Sequence, residues 1–119
     1  ENTEKVISIY APLRPIDKGR LWYDKFVLSS FFKGLAKEID FLWIDGPMRR
    51  YGREEALVFF KEYLKDGARV FLHDAQTEFR VAQEWQRQYQ RQVIDLKVIR
   101  IGREDEGVVS FKFKNKKFC

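Results

Sequence analysis

The chain of 119 residues predicts an α/β fold: a three-layer α/β/α domain whose mostly parallel sheet of about five strands ends in an antiparallel hairpin. Three observations carry this. Short β-rich runs alternate with stretches of helical period in the order β-α-β-α-β-α-β-β. Phe41–Ile44 and Val70–Leu72 are apolar on both faces, as suits strands covered by helices from both sides. The last two runs alternate apolar and polar residues, and the turn between them is too short for a crossover, so they pair antiparallel.

Each element has its own signal. Lys5–Tyr10 is the first strand, stopped by Pro12 and Pro15 because a central ladder does not tolerate proline. A loop through Asp17, Lys18 and Gly19 leads to Trp22, Tyr23 and Asp24. From about Asp24 to Glu38, the positions Leu28, Phe31, Phe32, Leu35 and Ala36 recur at helical spacing. Gly34 weakens that helix by ~1 kcal/mol relative to alanine. Asp40–Ile44 is the second strand, ending at Asp45-Gly46-Pro47. After a Met48–Gly52 loop, Arg53–Lys65 is a helix with Ala56, Leu57, Phe60, Tyr63 and Leu64 on one stripe. Gly67 stands where a C-terminal cap belongs. Arg69–His73 is the third strand, ending at Asp74-Ala75, and Thr77 to about Arg91 the third helix, with Phe79, Ala82, Trp85 and Tyr89 inward. Asp95–Ile101 and Gly107–Phe113 form the closing hairpin.

Composition bounds the class. With 45% hydrophobic and 34% charged residues, the chain reads as one globular domain over 1–119, not a disordered or fibrous segment. No apolar run approaches the ~20 residues of a bilayer span. Glu1–Lys5 lacks the layout of a signal peptide, and the sole cysteine, Cys119, excludes an internal disulfide. A cytoplasmic setting is the expectation. One histidine and one cysteine cannot supply a structural zinc site, and no nucleophile with a paired base is visible.

The net charge of +5 suits an acidic partner or ordinary solubility. Lys112, Lys114, Lys116 and Lys117, with Phe111, Phe113 and Phe118 between them, mimic a nucleic-acid-binding strand. Alternation in a half-buried edge strand explains them as well, so nucleic acid is not the favoured partner. The 16% aromatic content implies a thick core or an aromatic face left for a partner.

Candidate chemistry sits at the strand ends. Asp45 and Asp74 close neighbouring parallel strands at their carboxyl ends, where α/β sheets place ligands. There they orient a substrate, hold a divalent cation, or cap the next loop or helix. Two acids with no third ligand fall short of a Mg²⁺ shell, so no metal is assigned. His73, the only histidine, is the first candidate for acid–base work near neutral pH, or a satisfied strand-end histidine. Arg49, Arg50 and Arg53 grip a phosphate or carboxylate on a substrate, or form a solvated loop. Tyr23, among Asp17, Trp22 and Asp24, stacks on a flat ligand or packs over the sheet edge.

Phe41–Pro47, then Arg53, Ala56 and Leu57, Tyr63–Ala68, Val70–Ala75, Glu78 and Trp85 resemble the C-terminal half of a class I S-adenosylmethionine-dependent methyltransferase. Ala11-Pro12-Leu13 and Trp22-Tyr23-Asp24 are similar to a region before the fourth strand in one subgroup of that family. The family's fold ends with an antiparallel strand inserted beside its fifth, in agreement with the closing hairpin. The resemblance implies methyl transfer from S-adenosylmethionine to a small-molecule acceptor. Asp45, His73 and Asp74 would face the acceptor as catalytic residues, Arg49, Arg50, Arg53 and Tyr23 would bind it, and Gly46 and Pro47 would adjoin the cofactor. In some such enzymes, acids at these strand ends bind Mg²⁺.

The family builds its cofactor site from a glycine-rich turn after the first strand and an acid ending the second. Here the seven glycines are scattered and form no GxG after a strand. The chain therefore reads as a half-domain lacking the N-terminal cofactor-binding half and inactive alone. The gap beside Phe41–Ile44 would be closed by Lys5–Tyr10 pairing directly with it, by a second copy in a homodimer, or by the missing half. The alternatives are a non-catalytic assembly module on the same half-fold and a basic nucleic-acid-binding domain.

Overall fold

A computed structural model describes residues 6–17, 19–100 and 106–115. Asp24 starts the first regular helix, α1 (Lys25–Phe32): its carboxylate accepts from the backbone N–H of Phe26 at 2.9 Å and Val27 at 3.2 Å. Before it stand β1 (Leu13–Asp17) and β2 (Arg20–Tyr23), paired antiparallel as a separate two-stranded sheet. Downstream come β3 (Ile39–Ile44), a 3-10 turn (Arg49–Tyr51), α2 (Glu55–Phe60), β4 (Leu64–His73), α3 (Ala75–Gln88), β5 (Val93–Ile99) and β6 (Val108–Phe113).

The main sheet has four strands in the order β3-β4-β6-β5, and only β3 and β4 run parallel. The last strand inserts between β4 and β5, antiparallel to both. This corrects the expected three-layer, mostly parallel sheet of about five strands. Antiparallel neighbours need no crossover helix, so half of the sheet carries no obligation to helices on both faces. Phe41 and Trp43 are 55% and 48% exposed, so β3 is covered on one face only. Their neighbours in register, Leu42 and Ile44, turn toward the helices with Val70, Leu72, Val109, Phe111 and Phe113.

Three boundaries also move. Val6–Tyr10 forms no strand and Lys5 lies outside the described residues, so the expected first strand does not pair with β3. The strand forms instead at Leu13–Asp17, where Pro15 is tolerated because a two-stranded sheet is all edge. The second helix is short: Tyr63 falls in the turn after it and Leu64 begins the ten-residue β4. Gly67, at φ +82°, lies where the β3–β4 register slips between Ile39 and Phe41, not at a helix end. The first helix stops at Phe32, ahead of Gly34 at φ +86°.

One apolar cluster joins the elements. Trp22 packs on Phe59 and Phe60 with ring centroids 5.4 and 6.1 Å away, and Phe32 meets Phe60 and Tyr63 at 5.4 Å each. Trp85 of α3 packs on Phe111 at 5.9 Å and donates its indole N–H to the Glu54 carbonyl at 2.9 Å, fastening α3 to the start of α2. Phe111 and Phe113 are each 1% exposed, so they are core and not a stacking platform for bases. Among the described residues, no helix is long and apolar enough to cross a membrane.

Candidate functional site

The parallel register sets Trp43 beside Phe71 and Ile44 beside Leu72, so the next residues along, Asp45 and His73, emerge together at the carboxyl ends of β3 and β4. His73 Nδ1 lies 3.2 Å from an Asp45 carboxylate oxygen and 3.1 Å from one of Asp74. The Nδ1 atom is buried, yet neither contact has hydrogen-bond geometry. The three residues proposed as catalytic are thus one cluster.

Asp74 takes a left-handed conformation, φ 63° and ψ 55°, which costs a non-glycine residue roughly 1 kcal/mol or more. Its side chain does not cap α3. The capping is done by its main-chain carbonyl, which accepts from the N–H of Thr77 at 3.1 Å and of Glu78 at 2.8 Å. The carboxylate is left to face His73 and, at 3.4 Å, Arg53.

Arg53 does not occupy the substrate-gripping position expected of it. Its side chain is 5% exposed, which removes it from any ligand's reach. Nε donates to the Pro47 carbonyl at 3.0 Å and Nη1 to the His73 carbonyl at 3.2 Å, tying the loop after β3 to the end of β4. Asp74, Asp45 and Glu78 surround it at 3.4, 3.9 and 4.0 Å. Three carboxylates thus share one guanidinium at the strand ends. Arg53 is a positioning residue.

The other arginines stand apart. Arg49 donates to the Thr77 hydroxyl at 3.0 Å, beside the start of α3. Arg50 donates to the Tyr51 hydroxyl at 2.8 Å, with its guanidinium 4.9 Å from that ring's centroid. Neither lines the adjoining pocket.

That pocket has a volume of about 650 Å³. Tyr10, Trp22, Tyr23 and Phe60 give it aromatic walls, and Asp45 is its one charged lining residue. Burial raises the Tyr23 phenol above its ordinary value; Arg53 opposes the shift and Asp45 adds to it. A Cβ at Gly46 would overlap the Tyr23 hydroxyl, so this close approach requires glycine. Gly46 closes one end of the pocket and Pro47 anchors Arg53. Those roles account for both residues without a cofactor.

Among the described residues, no glycine-rich turn after a strand and no acid on a following strand make a cradle for S-adenosylmethionine. The usual cradle is thus absent from the described residues, so any binding of S-adenosylmethionine here needs a pocket assembled another way. A metal is better served: Asp45, His73 and Asp74 offer one ligand atom each, all within 4.8 Å of one another. Three ligands fill half of an octahedral shell, leaving the rest to water or substrate.

Sequence reasoning missed Glu78 as a site residue and the pocket walls at Ile9–Ala11 and Phe60. Glu78 had a signal: it shares the inward face of α3 with Val81, Ala82 and Trp85, and a carboxylate in an apolar stripe requires a buried partner. The contribution of Ile9–Ala11 had none, because it arises from a segment outside regular structure. No protein-family model matches the chain, and no curated protein matches it in sequence.

Proposed function

We propose that the chain carries the acceptor side of a methyl-transfer site, binding a small molecule in the aromatic pocket and taking a proton from its nucleophilic atom. The observation that carries this is His73 flanked by Asp45 and Asp74 at the ends of two parallel strands, with Asp45 also lining the aromatic pocket. In such a reaction the protein's task is alignment of the acceptor plus removal of a proton. His73 is the base, the two carboxylates flank its Nδ1, and Arg53 pairs with Asp74. The sequence resemblance supplies the reaction class. S-adenosylmethionine supplies the methyl group when bound.

Calorimetric titration of S-adenosylmethionine and S-adenosylhomocysteine into the chain tests the reading. Saturable binding at one site, with transfer to an added acceptor lost in His73→Gln, would mean that a pocket assembles without the glycine turn and would support the reading. No heat and no thermal stabilisation at millimolar ligand would remove methyl transfer from this chain. A second reading, an assembly module, is favoured by the exposed Phe41 and Trp43 on edge strand β3, since open aromatic edges invite pairing. A concentration-dependent dimer in sedimentation, unaffected by ligand, would favour it.

A further inference from the structure

The pocket combines features that select a charge type. Its walls are aromatic and aliphatic, and its one charged lining residue, Asp45, is 53% exposed at the side chain. Among the described residues, the one guanidinium near that carboxylate, Arg53, stands 3.9 Å away and is shared with Asp74 at 3.4 Å and Glu78 at 4.0 Å. His73 Nδ1 lies 3.2 Å from it without hydrogen-bond geometry. Asp45 therefore presents a half-exposed carboxylate to the pocket, with no side chain among the described residues donating a hydrogen bond to it. An anion entering here meets that carboxylate. A neutral apolar molecule fills the volume and leaves the carboxylate without a partner.

A cation on an apolar body satisfies both ends. Ring faces attract a positive group through their quadrupole, and the aromatic walls bury the remainder of the ligand. We propose that the pocket binds a small organic amine in its protonated form, its ring or chain among Trp22, Tyr23 and Phe60 and its ammonium group on Asp45. This names the acceptor class of the site proposed above. It rests on that reading only in calling the amine an acceptor.

The test uses three ligands of nearly equal shape: 2-phenylethylamine, 2-phenylethanol and 3-phenylpropionate. None absorbs where tryptophan is excited selectively, so the fluorescence of Trp22 reports binding to the full chain, with a chelator present to exclude metal ions. The amine is expected to bind roughly ten-fold more tightly than the alcohol and the acid most weakly, with the amine's advantage shrinking as salt rises. In Asp45→Asn, whose fold is verified by circular dichroism, the amine-to-alcohol affinity ratio falls to near one. The proposal is overturned if the acid matches the amine, if the ratio survives in Asp45→Asn, or if no ligand perturbs fluorescence at millimolar concentration. These outcomes do not depend on methyl transfer, so a chain that binds amines but not S-adenosylmethionine would retain this inference and lose the other.

Discussion

The two faces of the main sheet follow opposite rules. Toward the helices, Val70, Leu72 and Val109 are fully buried and Phe111 is 1% exposed, while on the other face Phe41 and Trp43 are about half exposed. In β3 both faces are apolar in sequence, Phe41 and Trp43 on one side and Leu42 and Ile44 on the other. The difference lies in what covers them: α3 and the aromatic cluster of β2, α1 and α2 pack on one face. On the other, the rings meet only one another and flanking side chains, with Phe41 5.1 Å and Trp43 6.0 Å from Phe71, and the Arg69 guanidinium 5.8 Å from that ring. Hydrophobic sequence reports the capacity to be buried. It does not report the cover.

Replacing equivalent rings on the two faces gives the largest contrast. Phe111→Ala should cost about 3–5 kcal/mol in urea unfolding, as a buried ring replaced by a cavity does. Phe41→Ala should cost about 1 kcal/mol, the worth of an aromatic pair. Equal losses would mean the second face is covered in solution, and a loss for Phe41 that grows with protein concentration would identify the cover as another copy.

Arg53 stands at the seam, buried below the strand ends whose chemistry is exposed. Arg53→Met should destabilise by about 3 kcal/mol, because Glu78 and Asp74 are left without their cation. The double variant Arg53→Met, Glu78→Leu should recover part of that loss. No recovery would show that the hydrogen bonds to the Pro47 and His73 carbonyls, not the ion pairs, hold the site.

The smallest effect is alkaline. Tyr23 keeps its proton longer folded than unfolded, so the stability it contributes is full below the unfolded value near 10 and is lost as pH rises through the folded one. Tyr23→Phe should flatten part of the fall in melting temperature above about pH 10. Tyr89, raised likewise by burial, accounts for more of the fall. An unchanged alkaline limb would mean that Tyr23 is hydrated in solution.

The clustering of Asp45, His73 and Asp74 was more legible than the fold. Asp45, His73 and Asp74 could be read because each ends an apolar run, and the end of a strand is a local signal. Helix α3 was legible in part from its period: Ala82 and Trp85 are buried as expected, Phe79 and Tyr89 only partly, and Val81 was not foreseen. The insertion of β6 beside β4 was implied by the resemblance but could not be read from spacing, because register is set by partners distant in sequence. Pro15 misled by a general rule that an isolated two-stranded sheet escapes. Arg53 misled because an arginine in a polar loop reads as solvated until three carboxylates from separate elements enclose it.

At Asp74 the main chain and the side chain answer to different demands. The peptide carbonyl launches α3, and the left-handed backbone that aims it is one that asparagine and glycine also adopt readily. Exchange among these three residues would therefore alter the charge beside His73 and Arg53 at the strand ends while leaving the helix where it is. Position 74 is a place where this scaffold can trade one chemistry for another with little disturbance to its architecture.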